Sequence, residues 1–236
     1  MSELDALVAT RLQLQRVATH VLARRRHDVC GRFGLRATPG GIGTPAFGPP
    51  DLLEVVRIDG TDLVHERGDR VAVRPIDGAT LAELAGGVGV DLTRAFDVGR
   101  DTPPVGEADE PLRLDEAAAS RLAAWFDLGW RALDAVALVA RDPAPAQLWP
   151  EHFDASSLVS IGDGEADRCD LGLSSGDRFS DAPYLYVGPW TEDRPGDPAY
   201  WNVGFGAQRS WDDVSSVGDA VEFWNEGLSR FRPTST

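Results

Sequence analysis

Lysine is missing altogether: every one of the 23 basic residues in this 236-residue chain is arginine. A chain without lysine side chains forms no lysine Schiff base with a carbonyl substrate or pyridoxal phosphate, and it supplies no P-loop lysine, so those chemistries drop out. Codon bias in a GC-rich genome accounts for such usage. Methionine occurs once, as Met1, which removes internal thioether ligation of copper or haem. The two cysteines, Cys30 and Cys169, stand far apart in sequence. In a reducing compartment they read as buried small hydrophobes and not as a disulfide.

No apolar run approaches the roughly 20 residues that span a bilayer, and the opening MSELDALVATRLQLQ lacks a basic stretch followed by an apolar one. The expectation is a cytoplasmic protein with no membrane partner. Basic surplus is lacking too: the formal charge is −15 and the isoelectric point is near 4.6, which argues against nucleic acid, because binding phosphates needs a positive patch. What the chain does have is apolar content, 42% of residues with seven tryptophans among them, enough for a folded core.

The periodicity predicts an α+β fold with antiparallel sheets and packed helices. A helix is expected over 3–28, with Ser2 as its cap and Arg24, Arg25 and Arg26 in its last turn, complementing the negative end of the helix dipole. A short strand at 32–36 precedes ATPGGIGTPAFGPP, read as an irregular loop. Three strands then follow at hairpin spacing, LLEVVRIDG, TDLVHERG and RVAVRPI. A short helix at 80–84, an acidic Pro-rich connector at 99–111 and a long helix at 115–141 come next. Strands at 157–161, 168–173, 184–187 and 200–207 and a helix at 217–231 complete the reading. The chain reads as a single domain over 1–236. The order helix, strands, helix occurs twice, which suggests two pseudo-repeated halves, 1–110 and 111–236. A weak echo supports them: 33–45 aligns with 171–183 through Gly34/Gly172, Leu35/Leu173 and Pro45/Pro183.

The motifs IGTPAFG, LLEVVRIDGTDLVHERGD, LWPEHFD, GLSSGDRFSDAPYLYVGPW and YWNVGFG occur in that order over most of the chain. In them the sequence resembles a bacterial, actinobacterial-type domain family of unknown function. The resemblance implies no activity and carries no residue role.

Trp149-Pro150-Glu151-His152-Phe153-Asp154 sets an imidazole beside two carboxylates, the usual material of general acid–base work. On an extended strand His152 and Asp154 would share one face, which makes them the candidate catalytic pair, against a reading in which His152 only bonds locally. His20, His27 and Cys30 fall at helical spacing, but no second ligand pair matches them, so no metal site and no cofactor is expected. Asp163, Glu165 and Asp167 alternate like the start of a calcium loop, yet the glycine and glutamate that such a loop needs further on are absent. Gly172-Leu173-Ser174-Ser175-Gly176 matches the nucleophile-elbow pattern without the helix that should follow it. Tyr184, Tyr186, Trp190 and Trp201 concentrate aromatic surface late in the chain, and Arg36, at the edge of the glycine loop, could contact an anion.

Two functions fit. One is a small-molecule site, binding or catalytic, between the halves, lined by Tyr184, Tyr186, Trp190 and Trp201 with His152, Asp154 and Arg36 as polar groups. The other is a non-catalytic protein-interaction or homo-oligomeric module.

Overall fold

The computed structural model describes residues 2–99 and 102–231 and is α+β, with two antiparallel sheets of five strands each. The chain divides into two compact units. One comprises Met1–Asp127 with Leu148–Phe153, the other Leu128–Gln147 with Asp154–Thr236.

In the first unit α1 (Glu3–Val17) starts in a capping box: the Ser2 hydroxyl accepts from the Asp5 amide while the Asp5 carboxylate accepts from the Ser2 amide. It runs through a π-helical stretch, Ala18–Ala23, into α2 (Arg24–Cys30), which ends on Gly31 in the left-handed conformation. The arginine triplet expected in the last turn lies ahead of it, because the helix continues to Cys30 and the basic residue of its last turn is His27. Arg24 and Arg26 are buried and donate to the main-chain carbonyls of Asp91, Arg94 and Gly34, while Arg25 binds Glu54. Cys30, expected to be buried, is exposed at the helix end, whereas Cys169 is buried.

Two stretches, 91–96 and 103–107, are tied to this helix through their backbone. Arg16 donates to the carbonyls of Val105 and Glu107, His20 Nε2 to Pro103 O at 2.8 Å, and Arg24 to Asp91 O and Arg94 O. His20 is buried, and its Nδ1 has no hydrogen-bond partner. A carbonyl acceptor at Nε2 and a bare Nδ1 define the neutral Nε2–H tautomer. The Phe96 ring lies edge-on to His20 and His27 and beneath the Arg24 guanidinium.

The sheet of this unit runs in order β1 (Arg36–Thr38), β2 (Gly41–Gly43), β3 (Glu54–Asp59), β4 (Asp62–Arg67), β5 (Arg70–Pro75). The glycine-rich stretch expected to be irregular therefore begins with a hairpin. Glycine permits it: a Cβ on Gly43 would stand 2.5 Å from that of Arg57, so only a bare backbone can pair there. Val56, Ile58 and Leu63 are buried on one face, and Leu7, Leu14, Val17 and Val21 supply buried helical residues. The short helix α3 (Leu81–Gly87) has its own capping box on Thr80. Leu148 pairs with Leu35 through two backbone bonds of 2.8 and 2.9 Å.

The long helix α4 (Glu116–Ala137) crosses from one unit's residues to the other's at Asp127/Leu128. In the second sheet the strand order is β10-β9-β8-β7-β6, with β6 Gln147–Trp149, β7 Asp154–Ser160, β8 Arg168–Ser174, β9 Tyr184–Pro189 and β10 Ala207–Ser210. Ala155, Val159, Cys169, Leu171, Leu173, Leu185 and Val187 are buried on one face of β7, β8 and β9. Helix α5 (Val217–Ser229) buries Ala220, Phe223, Trp224, Gly227 and Leu228, the i, i+3, i+4, i+7, i+8 stripe of an amphipathic helix. Trp224 Nε1 donates to Tyr186 O at 3.0 Å.

The strand expected over 200–207 begins only at Ala207. Ahead of it, Asn202 imitates a strand partner, its side chain donating to Gln208 O at 3.0 Å and accepting from Gln208 N at 2.9 Å. The residues of the sequence echo occupy unlike places: Gly34 precedes β1, whereas Gly172 lies inside β8.

Candidate functional site

Three of the residues singled out in the sequence meet on the polar face of the second sheet. Alternation along β7, β8 and β9 sends Asp154, Ser156, Asp170, Gly172, Ser174, Tyr184 and Tyr186 to the face opposite the buried aliphatic residues. The register pairs Asp154 with Ser174 and Ser174 with Tyr184, then Ser156 with Gly172 and Gly172 with Tyr186. Tyr186 lies across β8 and donates its hydroxyl to Asp154 Oδ2 at 2.7 Å. The crossing requires glycine beneath the ring, since a Cβ on Gly172 would stand 2.3 Å from Tyr186 Cζ.

A second phenol–carboxylate contact stands beside the first. Tyr184 donates to Asp177 Oδ2 at 2.9 Å, and Asp177 Oδ1 accepts from the amides of Phe179 and Ser180 at 2.7 and 3.2 Å. That turn carries Phe179 edge-on to both Tyr184 and Phe205, with centroids 5.5 and 5.2 Å away. Phe179 and Phe205 are 50% and 39% exposed, so the aromatic cluster has one side in solvent. Further along, Trp190 donates to Asp170 Oδ2 at 2.8 Å and is 60% exposed.

The electrostatics are those of carboxylates holding neutral phenols. Burial pushes the Tyr186 hydroxyl well above the ordinary tyrosine range, and the Asp154 charge pushes it further. Burial and Asp177 do the same for Tyr184. Asp170 is also raised by burial, with the Trp190 hydrogen bond acting against the shift. A phenol in this state donates a proton in a hydrogen bond and does not act as a base at neutral pH. Solvent reaches the ring surface of Phe179, Phe205 and Trp190, whereas Tyr184 is buried and so is Asp154 Oδ1.

The remaining sequence candidates fall elsewhere. Residues 150–153 form a turn, closed by Phe153 N donating to Trp149 O at 2.8 Å, so the strand alternation that would align His152 with Asp154 does not apply. His152 is exposed in this turn, and the buried Phe153 after it has φ 55°, a left-handed conformation that costs a side-chain-bearing residue about 1–3 kcal/mol. Trp201 donates to Pro195 O at 2.9 Å and stands edge-on to Tyr200, with Arg194 over its ring. Arg36 belongs to β1 in the first unit, where its Nε donates to Ala37 O. Ser174 is buried and accepts from Gly176 N at 3.1 Å in a turn. The 163–167 segment is the β7–β8 connection, with Asp163 paired to Arg141.

Sequence reasoning missed Asp170, Asp177 and Phe179. The alternation in RCDLGLS carried the signal for Asp170 and Gly172, but not the register that brings Tyr186 over that glycine. A cavity of about 170 Å³ lies among Val139, Ala140, Arg141, Ser160, Ile161, Leu228 and Phe231, smaller than the roughly 300 Å³ at which ligand pockets begin. Among the described residues no group of three or more histidine, cysteine or acidic side chains could hold a metal ion, and no helix is long and apolar enough to cross a membrane. Comparison of the chain with protein-family models, with curated proteins and with solved structures gives no match in any of the three.

Proposed function

We propose that the protein binds a small organic cation at the Tyr184–Tyr186 face of the second unit. The observation that carries this reading is the Tyr186 hydroxyl held at 2.7 Å by Asp154 across a strand that has a glycine where the ring must pass. Such a bond spends the phenol's only proton, so the pair keeps acceptor oxygens and no free donor. Acceptor oxygens together with the aromatic rings of Tyr184, Phe179 and Phe205 suit an ammonium group, which is drawn to carboxylates and ring faces alike. The net charge of −15 raises the concentration of cations around the chain as a whole. The sequence-based expectation of an anion contact at Arg36 is not carried into this reading.

Titration with choline and with spermidine, followed by tyrosine and tryptophan fluorescence, tests the reading, with acetate as the anionic control. Saturable binding of a cation, weakened roughly tenfold or more in Asp154→Asn, supports it. Absence of saturation by either cation, or equal binding by acetate, overturns it.

The second reading, a non-catalytic interaction module, draws support from one observation in the first unit: Val71 and Val73 on the edge strand β5 are 65% and 58% exposed.

A further inference from the structure

Strand β5 ends its sheet, and among the described residues no strand lies beside the backbone groups of its outer side. The β4–β5 hairpin closes through the two residues Gly68 and Asp69, so Arg67 and Arg70 form the hydrogen-bonded pair next to the turn. Hydrogen-bonded and non-bonded pairs alternate along an antiparallel ladder. Arg70, Ala72 and Arg74 therefore turn their amides and carbonyls toward β4, while those of Val71 and Val73 point outward. The same two valines expose their side chains on one face of the sheet, and the other face of the strand carries Arg70 and Arg74, both exposed. The edge thus presents two outward amides, two outward carbonyls, two apolar side chains and two cations within five residues.

We infer that β5 is a docking edge that accepts an extended acidic peptide segment as a sixth strand. Strand addition to a free edge gains main-chain hydrogen bonds, and the alternating side chains select the partner. Opposite Arg70, Ala72 and Arg74 the added strand carries carboxylates; opposite Val71 and Val73 it carries apolar residues, so the recognised pattern alternates acidic with apolar. Charge sets the occupant. On a chain of net charge −15, an edge flanked by two arginines with no acidic residue between them is a local reversal of sign. A second copy is disfavoured in the fully overlapped antiparallel register, where pairing around Ala72 sets Arg70 of one chain against Arg74 of the other, and like charges directly opposite repel. Pro75, at the end of the strand, limits the length of the added partner.

The test is fluorescence anisotropy of the full chain with a labelled seven-residue peptide alternating glutamate with valine, beside the same peptide with lysine for glutamate. Saturable binding of the acidic peptide alone is expected. Val73→Pro removes an outward amide without touching the β4 ladder and should weaken binding roughly tenfold or more. Arg70→Glu combined with Arg74→Glu, a surface change that leaves the strand backbone unaltered, should reverse the preference toward the lysine peptide. Failure to bind the acidic peptide, equal binding of both peptides, or indifference to Val73→Pro in a variant with native circular dichroism would overturn the proposal. So would a concentration-dependent dimer in sedimentation that Val73→Pro abolishes, because the occupant would then be a second copy.

Discussion

Arg25 grips Glu54 with two nitrogens, Nε to Oε1 at 2.6 Å and Nη2 to Oε2 at 2.9 Å, and so fastens helix α2 to strand β3 within the first unit. Glu54 is almost fully buried and also meets His65 Nε2 at 2.9 Å, with Arg67 at 3.5 Å. A carboxylate so placed depends on its cations, because removing one partner leaves buried charge uncompensated. Arg25→Met should destabilise the protein by about 3 kcal/mol, read as a lower urea midpoint.

The same group fixes the acid limb of stability. Burial drives the Glu54 carboxyl upward, but Arg25 and His65 outweigh it and leave the group below the ordinary glutamate range. A depressed carboxyl contributes stability above its unfolded value, near pH 4, and that contribution is lost as pH falls through the folded value. Arg25→Met should therefore move the acid unfolding midpoint to higher pH, as followed by circular dichroism.

His20 acts in a different window. Burial lowers it first, with Arg24 and Arg16 adding repulsion against the Pro103 carbonyl contact. The folded chain keeps it neutral at a pH where the unfolded chain has taken a proton, so stability falls as pH drops from about 6.5 toward the folded value. His20→Gln keeps a donor for Pro103 O and removes the titration. Urea midpoints at pH 7.5 and 5.5 should lie closer together in this variant than in the parent; an unchanged gap would mean that another group sets it.

Gly172→Ala places a methyl group inside the Tyr186 ring and should cost about 1–3 kcal/mol through overpacking. It should also lift the phenol from Asp154 and abolish the cation response described above. Urea unfolding and choline or spermidine titration of the same sample read both effects, and an unperturbed variant would mean that the ring does not lie over β8.

The two thiols should differ in reaction with a chromogenic disulfide reagent. Cys30 is exposed, whereas Cys169 is buried with its thiol pushed up to about 12, chiefly by burial. One equivalent should react in the native protein and a second only in denaturant.

The sequence made the repetitive elements legible and the paired ones less so. Helical stripes such as Ala220, Phe223, Trp224, Gly227 and Leu228 need only local spacing to be read, and so do the hairpin strands around Gly68-Asp69. The β1–β2 hairpin was hidden because its glycines look like loop residues until the Arg57 side chain lies against them. Asp154, Tyr184 and Tyr186 stood out as residue types, but their association depends on a register fixed by three strands. His152 drew attention through its neighbours, and the left-handed backbone at Phe153 breaks the alternation on which its pairing with Asp154 relied.

The ties between the first helix and stretches 91–96 and 103–107 have a consequence for how this protein can change over time. Arg16, His20 and Arg24 all bind main-chain oxygens there, those of Asp91, Arg94, Pro103, Val105 and Glu107. A carbonyl is the same whatever residue bears it. Apart from Phe96, whose ring touches His20, His27 and Arg24, point substitutions along those stretches leave the ties in place, whereas a deletion shifts the oxygens, so selection there acts on spacing more than on residue identity.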